Sequence, residues 1–166
     1  MLKPCTEPDI PVIFFIVNDA AIAYKGVIPQ DCWHEPYMPL SELTAEIKAG
    51  VAFWGYERNG VLLGVMGIQD RGDVTLIRHA YVMTCERNTG IGSMLLRHLE
   101  TLTSKPILIG TWKAAVWAIT FYQKHGYVQV SEAEKNRLLA KYWTISARQI
   151  DTSMVLVKSA MNAPAS

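Results

Sequence analysis

Cysteine is scarce in this sequence: Cys5, Cys32 and Cys85 are the only three among 166 residues. An odd number at wide spacing excludes a disulfide framework and a cysteine-based metal site, and fits a reducing compartment. A cytoplasmic protein without a bound metal is therefore expected. Charge of one sign is missing too, because 16 Lys and Arg stand against 15 Asp and Glu, a formal net charge of +1. Such a chain carries no basic field for nucleic acid, so no nucleic-acid partner is expected. Long apolar runs are absent. The longest, Ile10 to Val17, stops at Asn18-Asp19, far short of the roughly 20 residues a membrane span needs. Lys3, Pro4, Glu7 and Asp9 interrupt any signal-peptide core, so no membrane association is expected. No repeat, low-complexity stretch or linker divides the chain. The expectation is a single domain over residues 1–166 with a frayed tail from about Ser159.

Half of the residues are apolar, enough for a real core at this length. Asp9, Pro11 and the apolar run to Tyr24 predict a capped first helix, buried on more than one side. A loop with unusual side chains follows, from Ile28 to Pro39. A second helix is expected with Ser41 as N-cap and its end at Gly50. Strands at Val51 to Glu57 and Val61 to Gln69 flank Asn59-Gly60, the pair that favours a type I′ turn. Arg71-Gly72 makes the next turn, into a third strand from Val74 to Met83. A helix after Gly90 places Ile91, Met94, Leu95, Leu99 and Leu102 at helical spacing. Pro106 to Gly110 reads as a buried strand, parallel to its neighbour by the crossover rule. A helix from about Ala114 to His125 closes at Gly126, and Ser131 with Glu134 forms a possible capping box for a helix to Trp143. Thr152 to Lys158 is the last strand. The fold class is α+β.

The stretch Arg87-Asn88-Thr89-Gly90-Ile91-Gly92 carries the most chemistry. It lies between the end of a strand and the start of a helix, where backbone N–H groups point outward at the positive end of the helix dipole. Phosphate is the natural guest of such a turn. A P-loop is excluded because no lysine precedes Ser93, and a dinucleotide fingerprint because its third glycine falls on Leu95.

Arg-x-x-Gly-x-Gly after a Tyr-Val strand, with Ala118-Ile119-Thr120-Phe121-Tyr122-Gln123-Lys124-His125-Gly126-Tyr127 about thirty residues later, resembles the GCN5-related N-acetyltransferase (GNAT) superfamily. The likeness spans roughly residues 50 to 130. It implies a mixed, mostly antiparallel central sheet flanked by helices on both faces, and transfer of an acetyl group from acetyl-CoA to a primary amine by direct attack in a ternary complex. By the same resemblance, Arg87, Asn88, Thr89, Gly90, Ile91, Gly92 and Ser93 hold the pyrophosphate. Val82 and Met83 meet the acyl arm, the Val82 N–H serves as oxyanion donor, and Tyr122 is the general acid to the leaving thiolate. Thr89 and Ser93 can add hydroxyl donors. One family feature is missing, since the asparagine often found seven residues before this tyrosine is Ala115 here.

A protonated amine must lose a proton before it attacks, and His79 has the suitable side chain for a base. Strand alternation predicts that Arg78 and His79 face opposite sides, so that at most one looks into the site. His34 and Glu35 are alternatives. Trp33, Tyr37, Trp54 and Tyr56 suit an apolar or cation-attracting acceptor site; the same aromatics equally suit sealing a core under a long loop. Cys85, with no base beside it, reads as an incidental thiol. The acceptor is a small-molecule amine or a peptide or protein amine, and the resemblance admits a homodimer. A non-catalytic acyl-CoA-binding sensor or interaction module is the alternative from another functional class, since fold alone does not decide activity.

Overall fold

Asn59 and Gly60 adopt φ of 53° and 77°, the two positive values that a type I′ turn demands. They join β2 (Ala52–Arg58) to β3 (Val61–Asp70) with Arg58 paired to Val61, as the Asn-Gly pair predicts. A computed structural model describes residues 1–160. The part of the expected frayed tail beyond residue 160 lies outside them. Seven strands form an open, mixed sheet in the order β1-β2-β3-β4-β5-β7-β6, with β1 at Leu2–Pro4, β4 at Thr75–Val82, β5 at Ile107–Trp112, β6 at Val128–Gln129 and β7 at Ser153–Lys158. Two compact units divide the residues between them.

The first unit comprises Met1–Ala23, His34–Asp70 and Ile77–Thr103. β1, too short to show a periodicity, adds antiparallel to β2 with Leu2 opposite Tyr56. α1 (Ile10–Ala21) buries Ile13, Ile16, Val17 and Ala21, while Phe15 is 56% exposed. The expectation of burial on more than one side is thus corrected to a single face. Asp9 does not cap α1 with its side chain. Its carboxylate instead accepts the Thr6 N–H at 2.8 Å and closes the short turn Glu7–Asp9. α2 (Leu40–Lys48) starts from Pro39, whose carbonyl accepts from Glu42 and Leu43. Ser41 therefore lies inside the helix and is not its cap. Ile13, Ile16 and Leu43 meet Phe53 and Val65 in one core cluster.

α3 (Ile91–Glu100) packs against β2 and β3. It buries Ile91, Leu95, Leu96 and Leu99, whereas Met94 and Leu102, expected inward, are 39% and 46% exposed. The inward face is centred on Leu95 and Leu99, with Leu96 beside them. Gly64 on β3 makes the close approach possible, because a Cβ there would sit 2.8 Å from Ile91 Cγ2 and 3.3 Å from Val82 Cγ2. Helices therefore cover both faces of this part of the sheet.

The second unit comprises Tyr24–Trp33, Arg71–Leu76 and residues from Ser104 onward. β7 runs antiparallel to both β5 and β6, with Ile109 opposite Leu156 and Val128 opposite Val157. α4 spans Val116–Lys124, followed by Gly126 at φ 88°. α5 (Glu132–Tyr142) is capped by Ser131, whose hydroxyl oxygen accepts the Glu134 N–H at 3.2 Å. The reciprocal half of the capping box is missing, since the Glu134 carboxylate pairs with Arg137 instead. Lys135 is fully buried and donates to the Ile150 carbonyl at 2.7 Å while pairing with Glu132 at 2.9 Å. Ile150 stands at the C-terminal end of α6 (Ala147–Asp151), where a cation complements the helix dipole. α6 carried no periodic signal because it is barely longer than one turn. Among the described residues, no helix is long and apolar enough to cross a membrane.

Candidate active site

The turn between β4 and α3 is held from two sides within the first unit. Thr84 donates its N–H to Asp19 Oδ2 at 2.8 Å, which ties the short turn Thr84–Glu86 to the last turn of α1. Arg58, from the end of β2, grips both carboxylate oxygens of Glu86 at 3.2 and 3.3 Å. The backbone then passes through Asn88 at φ 63° and Gly90 at φ 88°. Gly90 is the N-cap of α3, and no side chain caps that helix end. A Cβ on Gly90 would have no atom within 4 Å. Its left-handed backbone, which costs other residues about 1 kcal/mol or more, is what calls for glycine, and the surface outside it is open to a ligand. Arg87, Asn88, Thr89 and Gly90 are exposed, Ile91 is buried, and Gly92 and Ser93 are half-buried.

This arrangement fits a pyrophosphate. The first turn of an α-helix presents N–H groups without intrahelical partners and a partial positive charge, and Arg87 adds a full one. Thr89 is committed differently from the expectation, since its hydroxyl donates to the Glu86 carbonyl at 2.6 Å and so stiffens the turn. Met83 is likewise committed. Its N–H donates to Leu63 O at 2.9 Å and its carbonyl accepts from Glu86 at 2.8 Å, so its side chain is what it has left to offer a ligand. Val82 is half-buried at the end of β4.

Upstream on the same strand, alternation fails. His79 has φ 55°, an uncommon value for any side chain larger than glycine and one that costs on the order of 1 kcal/mol or more. As a result Arg78 and His79, expected on opposite faces, both reach the carboxylate of Glu46 on α2. Arg78 Nη2 lies 3.1 Å from Glu46 Oε1, and His79 Nε2 hydrogen-bonds Glu46 Oε2. Arg78 Nη1 donates to Gln69 Oε1 at 3.2 Å, and Gln69 Nε2 donates to the Ala49 carbonyl at 3.0 Å. The chain of contacts thus ties the end of α2 to β3 and β4. Phe53 stacks on the His79 ring at 6.0 Å between centroids. Gly67 on β3 lies under the irregularity, where a Cβ would approach the Arg78 carbonyl to 3.0 Å.

The electrostatics follow from these contacts. Burial alone would raise the Glu46 carboxyl, but the His79 hydrogen bond and the His79 and Arg78 charges outweigh it and hold Glu46 below its usual range. Glu42, one turn earlier on α2, is pushed up by burial and by the Glu46 charge, with His79, His34 and Arg78 opposing. Burial also pushes the Cys5 thiol up to about 11, while Cys85 is exposed.

Of the aromatics expected around the acceptor, Tyr37 and Trp54 lie on opposite faces of the sheet within the first unit. Tyr37 packs against the α1 and α2 side of the first unit and stacks on His34 at 6.4 Å. Trp54 points to the opposite face of β2 from Phe53 and lies 4.3 Å from the His98 ring of α3. Tyr56, two residues on, is half-buried, and Trp33 belongs to the second unit.

In the second unit, α4 presents Tyr122 at 7% exposure, between Phe121 at 5.2 Å and Tyr127 at 5.9 Å. Burial and then the neighbouring Tyr24 push its phenol above the ordinary tyrosine value. Tyr24 in turn stacks on Trp117 of α4 at 6.0 Å. Ala115, where relatives of the expected kind carry asparagine, is fully buried and donates its N–H to Trp112 O at 3.0 Å.

A family model described as an acetyltransferase (GNAT) domain matches residues 18–140. The chain belongs to the GNAT acetyltransferase family. It is an acetyl-CoA-dependent acetyltransferase, as the glycine turn and the Tyr122 segment together imply. No curated protein sequence matches it. Among solved structures, the PaiA N-acetyltransferase of Thermoplasma acidophilum, in complex with coenzyme A, superposes with a TM-score of 0.73 at 14% identity over 96% of this chain and 98% of that one. The ribosomal-protein-S18-alanine N-acetyltransferase of Escherichia coli gives 0.69 at 14% identity, over 98% and 95%. Rv2747 of Mycobacterium tuberculosis, in complex with CoA, gives 0.67 at 16% identity, over 97% and 99%. At such identities these likenesses speak for the fold.

Proposed function

We propose that this GNAT domain transfers the acetyl group of acetyl-CoA to a primary amine, carried by a small molecule or by a peptide or protein, through direct attack in a ternary complex. The observation that carries the reading is the glycine-capped N-terminus of α3, held in place by Asp19 and Arg58 and open to solvent at Gly90. Arg87 through Ser93 hold the pyrophosphate of the donor, and the Val82 N–H receives the oxyanion that develops on the thioester carbonyl. Met83 lines the acyl arm with its side chain. His79 takes a proton from the ammonium form of the acceptor, so that the neutral amine attacks, and the second proton that nitrogen loses after the C–N bond forms leaves to solvent. Tyr122 gives its proton to the sulfur as the C–S bond breaks.

The raised phenol of Tyr122 suits that last step in one respect and opposes it in another. Tyr122 stays protonated at every working pH, so the acid form is always present. Transfer to a free thiolate of pKa near 8.5 is uphill from a phenol near 10. The same burial that destabilises the phenolate destabilises a thiolate beside it, so the mismatch narrows once both are dry. Holding amine and thioester together supplies much of the remaining acceleration.

Thiol release from acetyl-CoA, followed against a panel of polyamines, amino acids, aminoglycosides and peptides, tests the reading. Turnover with at least one primary amine, abolished when that amine is N-methylated to a quaternary centre, is expected. Tight acetyl-CoA binding with no turnover across the panel would favour a non-catalytic acyl-CoA-binding module instead.

A further inference from the structure

We propose that Glu46 is the positioning residue for His79, fixing the proton on Nε2 so that Nδ1 keeps the lone pair that receives the amine proton. This rests on the reading of His79 as the base. Three observations carry it, all within the first unit.

First, the backbone departs from its ordinary path to make the contact. His79 alone on β4 takes a positive φ, 55°, and that departure is what turns its ring to the face where α2 presents Glu46. Unusual backbone held by its surroundings clusters at working sites. Second, the ring is clamped on more than one side. Glu46 Oε2 takes Nε2, and Phe53, itself 4% exposed, stacks on the ring. Third, Glu46 is itself held by a second partner. Arg78 donates to the other oxygen, Oε1, and is in turn fixed by Gln69, which is 3% exposed and anchored to the Ala49 carbonyl.

The tautomer follows from chemistry. The charge-pairing around Glu46 keeps it ionised, and an ionised carboxylate only accepts. Nε2 must then carry the hydrogen. The neutral ring has one donor and one acceptor nitrogen, so Nδ1 is left with its lone pair. When the ammonium form of the acceptor gives up its proton, Nδ1 takes it and the imidazolium forms beside the Glu46 carboxylate. The proton later leaves to solvent. Among the described residues, the charged and titratable groups around His79 are Glu46 and Glu42 from α2 and Arg78 from β4, while His34, from the loop before α2, acts on Glu42. Arg78 opposes the imidazolium and the two carboxylates favour it.

Two measurements test the assignment. Ring ¹⁵N shifts of His79 in the wild-type protein at alkaline pH are expected to show the hydrogen on Nε2 and a bare Nδ1; the reverse tautomer overturns the proposal without any variant. The second measurement is kcat and KM for wild type, Glu46→Gln and His79→Gln, with whichever amine the thiol-release panel identifies, together with the ring ¹⁵N shifts of His79 in Glu46→Gln. Removing the carboxylate charge leaves the forming imidazolium without its counter-charge, so Glu46→Gln is expected to lower kcat about tenfold, a part of the roughly 10²- to 10⁴-fold that a positioned proton acceptor contributes, with KM for acetyl-CoA within twofold of wild type. Unchanged kcat in Glu46→Gln, with His79→Gln strongly impaired, sinks the role of Glu46 and leaves His79 as base. Wild-type turnover in His79→Gln removes the base itself, and the positioning role with it.

Discussion

Asp19 accepts a hydrogen bond from the backbone N–H of Thr84 at 2.8 Å, across 65 residues of sequence. An acidic side chain in the last turn of a helix is unfavourable for that helix. Here it fixes the first residue of the turn that leads into the α3 N-terminus. Asp19→Ala frees one end of that turn, and the loss of a bond worth about 1 kcal/mol corresponds to roughly fivefold weaker acetyl-CoA binding. Calorimetry on the variant, with its melting temperature as a check on folding, reads the effect. Unaltered affinity would mean that Arg58 and the Thr89 hydroxyl hold the turn unaided.

Tyr122→Phe removes one oxygen from a buried ring and leaves its packing with Phe121 and Tyr127 in place. Turnover should fall by about 10²-fold or more, the usual scale for a proton donor, while acetyl-CoA affinity stays within twofold. Unchanged kcat in this variant excludes Tyr122 as the acid.

How much of this was visible in the residues depends on how local each signal is. The Asn59-Gly60 turn, the Gly90 start of α3 and the Gly126 end of α4 were legible because each is dictated by a backbone conformation that only a few side chains tolerate. β1 and β6 were not, because strands of three and two residues carry no alternation to read. The Arg78–Glu46–His79 cluster was hidden for a different reason. Alternation predicts opposite faces for neighbours in a strand, and only the positive φ at His79 brings the two side chains to one carboxylate. Glu46 itself reads as one more charge on an amphipathic helix. The aromatic residues misled in the same way: Trp54 and Tyr37 are close in kind but lie on opposite sides of the sheet in the first unit.

Glu42 offers a check on the electrostatics of α2. Its folded-state carboxyl is raised, chiefly by burial and then by the Glu46 charge, so its ionised form is disfavoured by folding. That penalty is present at neutral pH and is relieved as pH falls through the raised folded value and then the ordinary value near 4.5. Because Glu42 is exposed at the surface, solvent screens most of that penalty, so Glu42→Gln should raise the melting temperature by about 1 °C or less at pH 7.5 and give no gain near pH 3.5. Glu46 has the opposite sign, since its lowered carboxyl stabilises the fold above the ordinary range and that contribution is lost in acid. A lower melting temperature for Glu42→Gln at pH 7.5 would contradict the assignment.

Gly90→Asp tests the glycine-capped start of α3 by placing an anion where the pyrophosphate is to bind, in a left-handed backbone that aspartate is among the few side chains to visit. The measurement is calorimetric titration of wild type and variant with acetyl-CoA, set against ATP and NAD. Micromolar binding of acetyl-CoA by the wild type, weak or absent binding of ATP and NAD, and loss of acetyl-CoA binding in Gly90→Asp are predicted. Acetyl-CoA binding that survives unchanged in the variant, or a wild type that fails to bind acetyl-CoA at all, would contradict the site.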